Sequence, residues 1–346
     1  MTDRYPWTVY ADQLTPEGHG FPVYYPEHPW KEYEDAAQIG DVGVIVNGKF
    51  KPFFNVVNEH SPVNRDGQFP PKFELLAYDR RLHDRTDSYL PPDTVRSSTV
   101  RSVSAEATGG TGEMTLGVGV GGSFKIKTTK ERAACLFLQD HASLDWVMQP
   151  CKPFYDYVET HERHWKEFFR KMGFETRDHG IVLVTGAVKT SSWGIAVMSG
   201  GSTDHQISFS APVGGLAAAG GGFSYETKSL PSRAVRKGPL PLLEASAITT
   251  DDISLLPRNQ TIFLRYIKVK YRWKVLRSLE AAGEKGKEDM AEDESGSPEP
   301  EIETNENSNY DPLDDVLDYI LEHSDADVAI ASTEDIKELY GVRLAW

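Results

Sequence analysis

The chain has 346 residues, of which 39% are hydrophobic, 26% charged and 11% aromatic, a globular composition long enough for one large core or two smaller ones. No stretch approaches 18 consecutive apolar residues, and the first 20 residues lack the basic start and apolar run of a secretory signal, so a soluble cytoplasmic chain is expected. Two cysteines, Cys135 and Cys151, make no disulfide framework and read as buried thiols in a reducing compartment.

The net charge of −15 is unevenly placed. From Glu284 onward there are 20 acidic and 4 basic residues, which leaves 32 acids and 33 bases before it. The body is therefore near neutral, which argues against nucleic acid as its partner, and the acidity belongs to the C-terminal part.

Residues 1–92 are rich in Pro and aromatics, a density that breaks long helices and predicts short strands and ordered loops in an N-terminal lobe. Within it, GDVGVIVNGKFKPFFNVV carries Asn47-Gly48 between two β-rich runs, a strong hairpin signal. Residues 95–128 read as a longer hairpin with its turn at 109–112. Its second arm, EMTLGVGVGGSFKIK, alternates for about 13 residues, roughly 43 Å of strand. Residues 130–172 switch to helical spacing through Phe154, Tyr157, Val158, Trp165, Phe168 and Phe169, with Gly173 as the stop.

The run at 181–184 predicts a strand buried on both faces, and 195–198 a second short strand. A third hairpin follows, alternating at Ile207, Phe209, Ala211 and Val213 and returning through Phe223 and Tyr225. Residues 259–276 give a last strong strand that is basic and free of acids. Residues 283–310 hold almost no large apolar side chains and predict a disordered acidic linker. Beyond it, Leu313, Val316, Leu317, Ile320 and Leu321 form one helix face, DVAIAS a strand, and Ser332 a cap. A piece this small should dock on the body to bury that face.

Enzyme chemistry has little support in these residues, so no catalytic residue, cofactor or metal is assigned. GVGVGG matches GxGxxG through Gly117, Gly119 and Gly122, but FKIK continues the alternation where a dinucleotide site needs a helix to begin. His161 and His164 sit three apart on the predicted helix with no further metal-ligand pattern, and Cys135 lies within apolar AACLFL. The alternating arms instead meet the demand of a transmembrane barrel strand, whose apolar side faces lipid. In the first hairpin that side is Met114, Leu116, Val118, Val120, Phe124 and Ile126; in the other it is Ile207, Phe209, Val213, Phe223 and Tyr225. A strand of a soluble sandwich would alternate in the same way. The cations Arg265, Lys268, Lys270, Arg272 and Lys274 suit anionic headgroups, or else the acidic tail.

The order of these elements, a long alternating hairpin, a helical segment, the strand VLVTGAVKT, a second alternating hairpin and a closing basic strand, resembles the pore-forming domain of gasdermins over residues 95–275. The resemblance implies two hairpin regions that lengthen into four barrel strands after release. Residues 1–92 do not match that family, and no basic amphipathic helix precedes Gly40. GDVGVIVNGKFKPFFN, LVTGAVKTSSW and DYILEHSDADVAIAS are also similar to a group of proteins from mushroom-forming fungi, a likeness that implies no activity.

The expected architecture is α+β: a twisted, mainly antiparallel sheet with long hairpins and a packed helical segment, plus a small α/β C-terminal piece. The expected units are a lobe at 1–92, a hairpin body at 93–282, the linker at 283–310 and an acidic docking piece at 311–346. The expected function is a membrane pore-former in cell death or defence, kept soluble by the docked acidic segment. A protease would release it by cutting the linker, and anionic lipids and further copies of the chain would be its partners. The alternatives are a soluble β-rich interaction module with an acidic partner-binding tail, and an enzyme of unfamiliar type.

Overall fold

A computed structural model describes residues 5–27, 36–65, 67–107, 122–128, 130–138, 140–148, 151–174, 180–199, 204–210, 224–227, 235–238, 257–272 and 310–336, with 102–107, 122–125, 127, 204–210 and 224–227 as backbone only. The described strands pair antiparallel throughout, and with the helices they make an α+β fold.

The elements in chain order are α1 (Pro6–Leu14), β1 (Phe21–Pro22), β2 (Asp41–Val46), β3 (Lys49–Asn55), β4 (His83–Leu90), β5 (Thr94–Arg96), β6 (Val100–Ala107), β7 (Gly122–Thr128), β8 (Arg132–Leu138) and β9 (Ala142–Val147). They continue as α2 (Lys152–Lys171), β10 (Val182–Thr190), β11 (Trp193–Ser199), β12 (Asp204–Ser210), β13 (Ser224–Thr227), β14 (Val235–Gly238), β15 (Gln260–Tyr271), α3 (Pro312–Glu322) and β16 (Val328–Ser332).

The spine of the eight-stranded main sheet is the pair β10 and β15, both nearly devoid of exposed residues. On its outer edge β15 carries two short strands in tandem, β1 at Leu264 and Phe263 and β16 from Ile267 to Tyr271. On its own outer edge β10 carries β2 at 182–183 and β9 at 186–189, with a bulge between Val184 and Gly186 where one hands over to the other. Strands β3 and β4 close the far side. Residues 1–92, expected as a lobe of their own, thus contribute β1 to β4 to the same sheet as β10 and β15.

Alternation along β10 assigns its two faces. Leu183 joins Ile267, Val42, Val44 and Phe54 beneath α2, whose Phe154, Trp165 and Phe169 are buried there. Val182 and Val184 point the other way, into the cluster that Leu264 and Tyr266 share with α3. The sheet is therefore covered on both faces, which is why these strands read as continuous apolar runs.

Several local signals act as the sequence predicts. Asn47 and Gly48 take φ of 52° and 73°, the left-handed pair that a two-residue hairpin requires, and connect Val46 to its partner Lys49. Gly173 at φ 81° ends α2. Two expectations need correction. Helical spacing was expected from residue 130, but RAACLFL and ASLDWV are strands β8 and β9, and the helix starts only at Lys152, after Cys151 and next to Pro153. The aromatic N-terminus was expected as strands and loops, yet it opens with α1, in which Pro6 holds the first helical position, where its missing N–H is harmless.

No helix among the described residues is long and apolar enough to cross a membrane, a statement that leaves strands closed into a barrel untouched.

Candidate functional site

The two alternating hairpins form one object. A four-stranded sheet in the order β14-β11-β8-β5 is followed along the same four chain paths by a second in the order β13-β12-β7-β6. The chain runs out through β5 and β6, back through β7 and β8, out through β11 and β12, and back through β13 and β14. We call this the ribbon.

Its register fixes which positions share a face. Ala105 pairs with Phe124, Phe124 with Ile207, and Phe209 with Tyr225, while Val103 pairs with Ile126. Residues directly opposite each other in an antiparallel ladder lie on the same face, and so do residues two apart on one strand. Phe124, Ile126, Ile207, Phe209 and Tyr225, from both hairpins, therefore share one face of one sheet. At the base Ile126 is fully buried with Val100, Ala133, Cys135, Phe137 and Met198. Burial pushes the Cys135 thiol up to about 12, so it is a packed hydrophobe rather than a nucleophile.

The second part of the site lies on β15. Tyr266, Lys268, Lys270 and Arg272 alternate onto the face that the C-terminal piece covers, and every one of them meets it. Asp311, the N-cap of α3, accepts hydrogen bonds from the Leu313 amide at 3.0 Å, the Tyr266 hydroxyl at 2.8 Å and Lys268 Nζ at 2.7 Å. Lys268 Nζ also lies 2.8 Å from Asp314. Lys270 Nζ sits 2.6 Å from Asp318, and the Arg272 guanidinium donates to the carbonyls of Ser324 and Ala326. Arg265, on the other face of the strand, approaches Glu334 at 3.4 Å and donates to the Tyr89 hydroxyl.

Lys268 is 3% exposed as a residue, and Gly180 makes its course possible, because a Cβ at Gly180 would collide with the lysine Cε. Burial pulls this ammonium down, but Asp311 and Asp314 outweigh it and hold it above the ordinary lysine value. Burial and the same Asp311 push the Tyr266 hydroxyl up, so it stays protonated and donates. Since its folded value is raised, Lys268 contributes stability below the ordinary lysine value, and loses it as pH rises through the folded one.

Around this charged centre the dock is apolar. Leu313 and Leu317 are fully buried, Val316 and Leu321 nearly so, and Ile320 packs against the same cluster, each full burial worth about 1.5–3 kcal/mol. Strand β16 then pairs with β15 from Ile267 to Tyr271 and closes an otherwise open sheet edge.

Of the residues singled out from sequence, Met114, Leu116, Val118, Val120, Val213, Phe223 and Lys274 lie outside the described residues. Arg265, Lys268, Lys270 and Arg272 are gathered at the dock, the first two buried. Among the described residues no group of three or more His, Cys, Asp or Glu is placed to hold a metal. His161 stacks on Tyr157 at 4.2 Å, and its ring centroid lies 6.4 Å from that of His164. Sequence reasoning missed Asp311, Asp314 and Tyr266. The spacing of Asp311 before Pro312 was a readable N-cap signal, but nothing local pointed to Lys268 as its partner.

Compared with known protein families, with curated proteins and with solved structures, the chain matches none.

Proposed function

We propose that this chain is a pore-forming protein acting in cell death or defence, kept soluble by its acidic C-terminal segment and activated by proteolysis within the linker at 283–310. The single observation that carries this reading is the register of the ribbon: the apolar positions of two separate hairpins fall on one face of one antiparallel four-stranded sheet. Four up-and-down strands with one apolar face are the repeating unit from which an antiparallel barrel closes, and only closure satisfies strand backbone in lipid.

The dock supplies the control. While residues 311–334 are seated, Lys268 and Lys270 are paired with Asp311, Asp314 and Asp318, Arg265 with Glu334, and Arg272 with the carbonyls of Ser324 and Ala326. Cutting the connecting segment turns an intramolecular contact into a bimolecular one, so the piece can leave. Lys268, Lys270 and Arg272 then lose their partners and turn to anionic headgroups, at about 1 kcal/mol for each cation near the surface, while Arg265 loses Glu334 but keeps the Tyr89 hydroxyl. Further copies supply the remaining strands.

The rival reading, an interaction module with no membrane step, draws on the outer face of α3. There Asp315, Asp318, Tyr319 and Glu322 are exposed, and the Tyr319 ring is 60% exposed and stacked on His323 at 4.1 Å. Such a face suits a basic partner.

Dye release from vesicles separates the two. A protease site placed between residues 283 and 305 of the full chain allows cutting on demand. The pore-forming reading expects release from phosphatidylserine vesicles after cutting, little before it, and little from neutral vesicles. A cut, folded protein that releases nothing from either removes it.

A further inference from the structure

The C-terminal piece packs on β15, whereas the element seated on the base of the ribbon is the N-terminal segment 5–27. This segment reaches all four chain paths. Helix α1 lies on β8 and β11, with Val9, Tyr10 and Leu14 buried against Ala134, Leu136 and Ile195. Gln13 Oε1 accepts from the Thr99 hydroxyl at 3.0 Å, in the turn between β5 and β6. Thr99 is joined through Ser97, at 2.8 Å, to the amide of Ala134 on β8.

On the fourth path, Arg236 of β14 donates to the Tyr24 carbonyl and to Glu27, both at 2.7 Å, and its guanidinium lies 3.8 Å over the Tyr25 ring. The same ion is 5.5 Å from the Trp193 ring on β11. At its other side the segment belongs to the main sheet: Phe21 pairs with Leu264, the Val23 amide donates to Ile262 at 2.9 Å, and Thr261 donates to Pro26 at 3.2 Å. A short length of chain thus ties every path of the ribbon to β15. Within that contact the Tyr10 hydroxyl is buried with no hydrogen-bond partner, so the packing there is not fully satisfied.

We propose that residues 5–27 are a strap across the base of the ribbon, buckled at Arg236, and that the ribbon leaves the main sheet only when this strap parts. The strap is a second lock, separate from the C-terminal dock, and once the acidic piece has gone the parting of the strap sets the rate at which the ribbon moves. The functional half of this inference rests on the pore-forming reading; the structural half does not.

Hydrogen exchange on the full chain tests the structural half. Arg236→Lys keeps the charge but loses the two-pronged grip, and Tyr25→Leu removes the ring under it. Each is expected to speed amide exchange in 193–199 and 235–238 at least tenfold, and to leave 182–190 and 266–271, where β15 does not pair with the strap, within twofold of the unaltered chain. Unchanged exchange, or equal acceleration in both regions, overturns the strap. If Arg236→Lys does not fold, Gln13→Ala carries the same test at 94–99.

For the functional half, the linker-cut chain with Arg236→Lys is expected to release vesicle dye at least fivefold faster than the linker-cut chain without it. Equal rates, with exchange accelerated as expected, overturn the strap as a lock on insertion. No release from any cut chain removes the pore-forming reading and leaves the exchange result standing.

Discussion

The C-terminal piece and the N-terminal strap both grip β15, one along its 266–272 half and the other at 261–264, but by different physics. The first is organised around charge: a fully buried ammonium held by two carboxylates, further ion pairs at its rim, and a strand that closes a sheet edge. The second relies on apolar area and aromatic rings, with Arg236 as the cation at its buckle. A contact built on charge answers to neutralisation of its partners and, at its exposed rim, to salt; one built on apolar packing does not. Two fastenings of unlike chemistry make loss of the dock and parting of the strap separate steps, each open to its own perturbation.

The contrast can be broken most forcefully at Lys268. Lys268→Ala strands Asp311 in a buried site and should destabilise the seated C-terminal piece by about 3–5 kcal/mol, while leaving the strap intact. Hydrogen exchange would show amides 328–332 opening far more than 193–199. Next, Leu317→Ala and Leu14→Ala remove comparable fully buried side chains from the two contacts. Each should cost about 2–5 kcal/mol in urea unfolding, with local opening confined to the element that lost its anchor.

A smaller effect is expected at Glu162, buried on α2, where burial raises the carboxyl to about 7 against the lowering pull of Arg163 and Lys166. An acid whose folded value is raised favours the fold below the ordinary glutamate range, and this advantage is lost as pH climbs through about 7. Glu162→Gln should therefore stabilise by about 1–2 kcal/mol at pH 8 and by nothing at pH 4, read by thermal melts at both pH values. Smallest is the Lys270–Asp318 pair at the rim, where Asp318→Asn should cost under about 1 kcal/mol and become invisible at high salt.

What the sequence made legible was local. The Asn47-Gly48 turn, the end of α2, the alternation of β7 and β12, and the apolar stripe of α3 each carry their signal within a few residues. The segment RAACLFL carries no such signal: β8 is buried on both faces, so it shows no alternation to separate it from a helix. The long-range pairings had no local mark at all. Phe21 meets Leu264, and Lys268 meets Asp311 across 43 residues; the charge balance offered the acidic tail as one partner for the cations, but no local mark told which acid meets which cation. The pairing of β7 with β12, which merges the two hairpins, was equally invisible to periodicity, because each hairpin satisfies its own alternation alone.

The central claim is that the shared face of the ribbon enters hydrocarbon. Single cysteines at 206, 207, 208 and 209, each carrying an environment-sensitive dye, can be placed in the linker-cut chain and mixed with vesicles containing lipid-chain quenchers. The account predicts quenching at 207 and 209 and little at 206 and 208. Uniform protection of all four, or quenching without that alternation, would contradict it.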